Sequence, residues 1–150
     1  MNRRIITIFW LEEDPVSISD HVYVLGEKYK IEIGASWEEI QTSRQNTIDL
    51  VVIDLMIHHL REKDGDEVEN ISFPNISWKA TGLEFLKRLR QGEYVDYGFN
   101  KDVPVIVATA VITYPAKELA EEKGISDFLV KPFSIQELKD AIDRNVKIQL

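Results

Sequence analysis

A run of four apolar residues followed at once by an aspartate constrains the fold of this chain more than any other feature. Leu50 to Ile53 contains two valines and one isoleucine, and the run is too short for a helix. Such a β-branched run predicts a strand that is buried on both faces of a sheet. Asp54 follows it, and an unpaired carboxylate is costly to bury. Asp54 must therefore meet water, a cation, a hydrogen-bond donor or a helix N-terminus.

Strand patterns and helix patterns alternate five times along the sequence. The predicted strands are residues 5–11, 30–33, 50–53, 103–108 and 127–130. The predicted helices run over about 15–28, from Ser36, over about 81–90, from Pro115 to near Gly124, and from Ser134 through Val146. Their start signals are Asp14 before Pro15 and the capping boxes at Ser36, Thr81 and Ser134. This alternation predicts an α/β fold with a parallel sheet and helices on both faces.

Two stretches interrupt the pattern. Residues 57–80 show no sustained period, so we expect an inserted loop there with at most one short turn of its own, and residues 91–101 predict a second loop. His58 and His59 lie near several acids in the first stretch, but their spacing fits no common metal site and favours a solvated loop. We expect this inserted loop to be mobile and to be cut first in limited proteolysis. The whole of 1–150 is predicted to be a single domain.

Charge and composition exclude several classes of function. Eighteen basic and twenty-six acidic residues give a net charge of −8, which argues against direct binding of nucleic acid. The chain has no cysteine, and therefore no disulfide or thiolate chemistry. No stretch is apolar for long enough to predict a membrane span, and no address signal is present. These features predict a cytoplasmic protein.

Polar side chains follow several of the predicted strands at their carboxyl ends. They are Glu12 and Glu13, Asp54, Thr109 and Lys131. Because the carboxyl ends of parallel strands share one edge of the sheet, we expect these groups to lie together. Clustered carboxylates suit a hard cation such as Mg²⁺, and an aspartate can accept a phosphoryl group covalently. A lysine and a hydroxyl would then pair with the phosphoryl oxygens.

Four short motifs in this order resemble the receiver domains of two-component response regulators. They are W-L-E-E-D-P (10–15), V-V-I-D-L-M (51–56), P-V-I-V-A-T-A (104–110) and F-L-V-K-P-F (128–133). The sequence T-G-L-E-F-L-K-R-L-R (81–90) is also similar to the third helix of that family. The resemblance covers nearly all of the chain except the two loops. It implies a flavodoxin-like fold with strand order 2-1-3-4-5.

The resemblance also implies a role for each matching residue. Asp54 would be the phosphoacceptor, Lys131 would pair with the phosphoryl group, and Thr109 and Phe128 would form the switch. The Mg²⁺ ligands would be Glu12, Glu13, Asp54 and the backbone carbonyl of Met56. Met56 and Val111 would flank the acyl phosphate and keep water from it, so that self-dephosphorylation is slow. Such a chain is not an enzyme beyond Mg²⁺-dependent self-phosphorylation and self-dephosphorylation.

The partners implied are a histidine kinase or phosphotransfer protein and an output protein that the sequence does not name. The signal would be a change of binding surface in a stand-alone receiver. Two other classes are open. A flavin or nucleotide binder would need a phosphate loop after the first strand, where Glu12, Glu13 and Asp14 would instead repel phosphate. A pseudo-receiver would act as an interaction module without phosphorylation.

Glu13 is the one departure from the family pattern, which usually has aspartate there. Its extra methylene moves the carboxylate, and Mg²⁺ tolerates little geometric error. We expect Glu13 to bind Mg²⁺ more weakly than aspartate would, and Glu13→Asp to tighten binding. A shift of register that makes Asp14 the ligand is the alternative. Glu13 is also the only support for the pseudo-receiver interpretation.

Overall fold

A five-stranded parallel sheet forms the centre of the molecule in a computed structural model that describes residues 5–42, 47–110 and 114–146. Its strands are β1 (Thr7–Leu11), β2 (Lys30–Gly34), β3 (Leu50–Ile53), β6 (Val105–Thr109) and β7 (Asp127–Val130). They lie in the order β2-β1-β3-β6-β7, and every neighbouring pair is parallel. With the two strands of a separate hairpin set aside, this is the predicted order 2-1-3-4-5. The flavodoxin-like prediction is confirmed.

The central strands are buried on both faces because their side chains alternate between two cores. Val51 and Ile53 of β3 enter one apolar cluster, whereas Leu50 and Val52 enter the other. All four side chains are fully buried. The apolar run of β3 is therefore explained by burial on both sides of the sheet, as the sequence predicts.

Within the described residues, five α-helices cover the two faces of the sheet. They are α1 (Ser19–Leu25), α2 (Trp37–Thr42), α3 (Thr81–Arg90), α4 (Tyr114–Glu122) and α5 (Ile135–Val146). Helices α1 and α5 cover one core, in which Trp10 stacks on Phe133 with ring centroids 6.4 Å apart. Helices α2, α3 and α4 cover the other core, in which Trp37 packs against Phe73 and Tyr94. None of the helices that the structure describes is both long and apolar enough to cross a lipid bilayer.

The first predicted helix is shorter and less regular than its pattern indicates. Asp14 caps a 3-10 turn at Pro15–Ile18, as the sequence predicts, and α1 then ends at Leu25 rather than near residue 28. The predicted capping box of α2 is present, because Ser36 and Glu39 exchange backbone-to-side-chain hydrogen bonds of 3.1 and 3.2 Å. In the loop 91–101, Val95–Tyr97 forms a single 3-10 turn.

Helix α3 begins against the end of β3, and Gly82 allows this close approach. Its N–H donates to the Leu55 carbonyl at 2.9 Å. A Cβ atom at residue 82 would lie 2.3 Å from the Asp54 carbonyl oxygen. The chain after β3 is therefore held between the sheet and α3, which fixes the backbone on either side of Asp54.

The stretch 57–80 is more ordered than the sequence predicts, and the expectation of a loop with one short turn is wrong. It contains an antiparallel hairpin of β4 (Leu60–Lys63) and β5 (Asp66–Glu69), followed by a 3-10 turn at Trp78–Ala80. Asp64 and Gly65 form the turn with φ of 54° and 85°. These left-handed values fit a two-residue hairpin turn, for which Asp-Gly is a preferred sequence. We call residues 58–70 the hairpin segment.

The hairpin segment is tied to the α2 side of the domain by charge. Arg61 forms an ion pair with Glu39, and Lys63 Nζ lies 3.1 Å from the same carboxylate. The Arg61 side chain is only 10% exposed. After the hairpin, the Ile71 N–H donates to the Ala35 carbonyl at 2.7 Å. These contacts explain why a largely charged segment packs on the body of the protein.

Candidate functional site

Asp54 lies at the carboxyl end of β3, almost fully buried, with donors on three sides. Its Oδ1 accepts hydrogen bonds from the Thr109 hydroxyl at 2.9 Å and from the Met56 N–H at 3.1 Å. Its Oδ2 accepts one from Lys131 Nζ at 2.9 Å. The groups come from the ends of β3, β6 and β7, because parallel strands bring their carboxyl ends to one edge. Charged and hydroxyl donors stabilise the buried carboxylate.

Lys131 joins Asp54 to Glu12. Its ammonium donates to a Glu12 carboxylate oxygen as well as to Asp54, and Glu12 is 1% exposed. Burial, followed by the nearby Asp54 charge, raises the pKa of Glu12 to about 7 against the lowering effect of Lys131 and of the Asp14 N–H. Burial acts to lower the pKa of Lys131, but its hydrogen bonds to Glu12 and Asp54 outweigh burial and raise that pKa. Two buried carboxylates thus share one ammonium, which leaves an excess of negative charge.

Glu13 contacts a different set of residues. Its Oε2 accepts hydrogen bonds from the His58 N–H at 2.9 Å and the Asn70 side-chain amide at 3.1 Å. Its Oε1 contacts His58 Nδ1. In the described ranges, no three His, Cys, Asp or Glu side chains are arranged so that they could hold a metal ion. The predicted ligands Glu12 and Asp54 are therefore brought together, and Glu13 is not brought to them.

Two further predicted positions lie beside the site. Asp14 is engaged as a cap, because its carboxylate accepts from the Ser17 N–H at 3.4 Å while its own N–H donates to Glu12 at 3.2 Å. Met56 contributes its N–H to Asp54, and a role for its carbonyl stays a prediction. Val111, the other predicted shield, lies outside the described residues.

The two predicted switch residues lie on adjacent strands. Thr109 ends β6, is fully buried and donates to Asp54. Phe128 lies on β7, paired in register with Val107 of β6, and it is half-buried against the α2–α4 core. Lys117 of α4 places its ammonium 5.9 Å from the Phe128 ring centroid. Thr109 and Phe128 thus lie on paired neighbouring strands, and their role as a switch stays a prediction.

Sequence reasoning missed His58 and Asn70, which hold Glu13. His58 is exposed, in agreement with its predicted solvated surroundings, but its ring also stacks on Trp78 with centroids 4.1 Å apart. Asn70 is 5% exposed and also donates to the His58 carbonyl at 2.9 Å. No local pattern pairs residue 13 with residues 58 and 70, so only the Asp64-Gly65 hairpin signal could have pointed to this contact.

Comparisons by family, by sequence and by structure relate this chain to the same class of known proteins. The model of the family described as "Response regulator receiver domain" matches residues 8–143. Among curated proteins, the cyclic di-GMP phosphodiesterase response regulator RpfG of Xanthomonas campestris is 26% identical over 142 residues, covering 77% of this chain. The response regulator ArlR of Staphylococcus saprophyticus is 29% identical over 113 residues, covering 75% of the chain. The chain spans only 36% and 39% of these two relatives.

Solved structures with the same fold are numerous. The receiver domain of a sensor histidine kinase from Pseudomonas aeruginosa aligns with a TM-score of 0.64 at 20% identity, covering 96% of this chain and 99% of that one. Its structure has a magnesium ion coordinated in the active site cleft. At this identity the likeness shows a common fold.

Proposed function

This chain belongs to the response regulator receiver domain family, and we propose that it accepts a phosphoryl group on Asp54 from a histidine kinase or a phosphotransfer protein. The observation that supports this most directly is the environment of Asp54. Its two carboxylate oxygens are held by Lys131 and Thr109 at 2.9 Å, at the sheet edge where ligands bind in open parallel sheets.

In the proposed transfer, an Asp54 oxygen attacks the phosphorus of a phosphohistidine. The new P–O bond forms as the P–N bond breaks, and the imidazole leaves with the bonding electron pair and takes up a proton. Lys131 would pair with one phosphoryl oxygen and so offset the charge that develops there. The Thr109 hydroxyl would donate to another. These two residues position and stabilise the group, and the aspartate is the nucleophile.

The residues present fit a magnesium ion. Glu12 and Asp54 are oxygen donors of the kind that Mg²⁺ prefers, and they face one another across Lys131 with excess negative charge. The charge of Asp54 adds to burial in raising the pKa of Glu12, and a bound cation would offset that charge. Glu12, Asp54 and the Met56 carbonyl would hold the ion. A bound Mg²⁺ would neutralise negative charge on the phosphoryl oxygens.

The response we propose is a change of binding surface that starts at Thr109. Its hydroxyl donates to Asp54 before phosphorylation, and it would turn to a phosphoryl oxygen afterwards. Because Phe128 lies on the neighbouring strand against α4, the same movement would repack that side of the domain. An output protein would bind one state in preference to the other, and only such differential affinity can carry a signal.

The test is incubation with acetyl phosphate and Mg²⁺ followed by intact-mass measurement. We expect the parent chain to gain one phosphoryl group and Asp54→Asn to gain none. Asp20→Asn is the matched control, because Asp20 is exposed on α1. Equal labelling of Asp54→Asn and the parent would refute the assignment of Asp54. No labelling of the parent by acetyl phosphate or by any phosphorylated kinase would favour the pseudo-receiver alternative.

A further inference from the structure

The base of the hairpin segment is joined to the loop after β1 through a single carboxylate. Both oxygens of Glu13 contact His58, and Oε2 also accepts from Asn70. Asn70 uses its two amide hydrogens on Glu13 and on the His58 carbonyl, so the two ends of the segment are bridged where they meet. Stacking of His58 on Trp78 completes this base.

Glu12 and Glu13 are consecutive but face different partners. Glu12 is directed to Lys131 in the buried site, whereas Glu13 is directed to the hairpin segment. The Glu13 side chain is 15% exposed, and three of its contacts are hydrogen bonds or an ion pair. A turn of Glu13 toward the Asp54 site would leave the His58 N–H and one amide hydrogen of Asn70 without this acceptor. Loss of this acceptor is unfavourable chiefly for Asn70, which is 5% exposed, so that its amide is already removed from water.

We propose that Glu13 is the clasp of the hairpin segment, with His58 and Asn70 as its positioning partners, and that it keeps this role when Glu12 and Asp54 hold a divalent cation. Glutamate at residue 13 has a longer side chain than the usual aspartate, and on this proposal the extra length allows it to reach His58 and Asn70 of the hairpin segment. The part of this proposal that concerns the cation rests on the proposed function, whereas the clasp itself does not.

The clasp is tested by amide hydrogen exchange measured by NMR in Mg²⁺-free buffer. Glu13→Gln keeps the size of the side chain but removes its charge, and Glu118→Gln is the matched control at an exposed position of α4. We expect exchange at His58 and through residues 58–70 to rise by about tenfold in Glu13→Gln, because a neutral amide oxygen accepts hydrogen bonds more weakly than a carboxylate. Exchange in β3 should stay within about twofold of the parent, because the opening is local.

A second variant keeps the proposal testable if Glu13→Gln folds poorly. His58→Phe retains a ring to stack on Trp78 but removes Nδ1, so exchange over 58–70 should rise by a smaller factor than in Glu13→Gln. Unchanged protection of the segment in Glu13→Gln, or in His58→Phe if that variant must be used, would overturn the clasp. A loss of protection that extends equally to β3 would overturn it too, because it would show global unfolding.

The role toward the cation is tested with Mg²⁺ itself, by calorimetric titration and by exchange at saturating metal. We expect Glu12→Gln to weaken Mg²⁺ binding by about tenfold or more and Glu13→Gln to change it by less than about twofold. Protection of the His58 amide in the parent should be unchanged by Mg²⁺. Tenfold weaker binding in Glu13→Gln, or loss of His58 protection on adding Mg²⁺, would show that Glu13 is a ligand and would overturn the proposal. A parent that binds no Mg²⁺ would count against the proposed function, while the Mg²⁺-free exchange still decides the clasp.

Discussion

Besides Glu13, the carboxylate of Glu39 attaches the hairpin segment to the domain. The substitution Glu39→Gln tests how much this attachment stabilises the fold. Its carboxylate accepts from the backbone N–H groups of Ala35 and Ser36 and from Arg61 and Lys63. Burial acts to raise its pKa, but these hydrogen bonds outweigh it and lower the pKa of Glu39 to about 2 from 4.5. The ionised carboxylate is thus strongly preferred in the folded protein.

The magnitude follows from linkage between protonation and folding. Each tenfold change in proton affinity is worth about 1.4 kcal/mol, so the lowered pKa corresponds to about 3 kcal/mol of stability. Because the folded pKa of Glu39 is depressed, this contribution is fully present above pH 4.5 and is lost as the pH falls toward 2. We expect Glu39→Gln to lower the free energy of unfolding by about 3 kcal/mol at pH 7, since it also leaves the largely buried Arg61 unpaired.

The assay is urea unfolding of parent and variant at pH 7 and pH 3.5. The matched control is Glu38→Gln, one residue earlier in the same turn of α2 and exposed. The difference between Glu39→Gln and the parent should shrink to about 2 kcal/mol at pH 3.5, whereas Glu38→Gln should stay within about 0.5 kcal/mol of the parent. A loss at pH 7 no larger than that of Glu38→Gln would refute the reasoning, and so would a difference that grows as the pH falls.

Three further substitutions test other parts of the fold and site. Gly82→Ala should lower the free energy of unfolding by at least about 2 kcal/mol, because its Cβ would lie 2.3 Å from the Asp54 carbonyl oxygen; near-parent stability in thermal unfolding would contradict this close approach. Gly65→Ala should destabilise the hairpin by about 1 kcal/mol because of the positive φ at residue 65 alone, since an added Cβ would meet only open space. Faster hydrogen exchange confined to β4 and β5 would show this loss, and unchanged exchange would contradict it. Met56→Asn should speed loss of phosphate from the labelled protein, because a polar side chain next to Asp54 can orient an attacking water; an unchanged rate or slower loss would contradict the placement.

The sheet was predictable from the sequence because burial on both faces leaves a strong local signature. The strands Leu50–Ile53 and Asp127–Val130 have the predicted bounds. The polar groups at the strand ends were expected to share one edge, and Asp54, Thr109 and Lys131 do make direct hydrogen bonds there. Their roles in phosphoryl transfer stay predictions.

The hairpin was not predictable in the same way, because it has no apolar face from which to recognise it. Each of its strands has a single half-buried side chain, Arg61 in β4 and Val68 in β5. Its order comes from carboxylates elsewhere in the chain, Glu13 at 45 residues from His58 and Glu39 at 22 residues from Arg61. Such contacts depend on the tertiary structure, and a sequence pattern read locally cannot contain them. The contacts of the Glu13 side chain could not be predicted for the same reason.

The three tryptophans of this chain lie in three separate parts of the molecule. Trp10 is buried among α1 and α5 and stacks on Phe133, whereas Trp37 lies on the opposite side of the sheet against Tyr94. Trp78 stacks on His58 at the base of the hairpin segment. Each indole therefore senses a different environment, and three single-tryptophan proteins would give intrinsic fluorescence signals from the two cores and the hairpin base separately. Opening of the hairpin segment would then be seen in Trp78 emission without an attached dye, while Trp10 and Trp37 report that the cores remain packed.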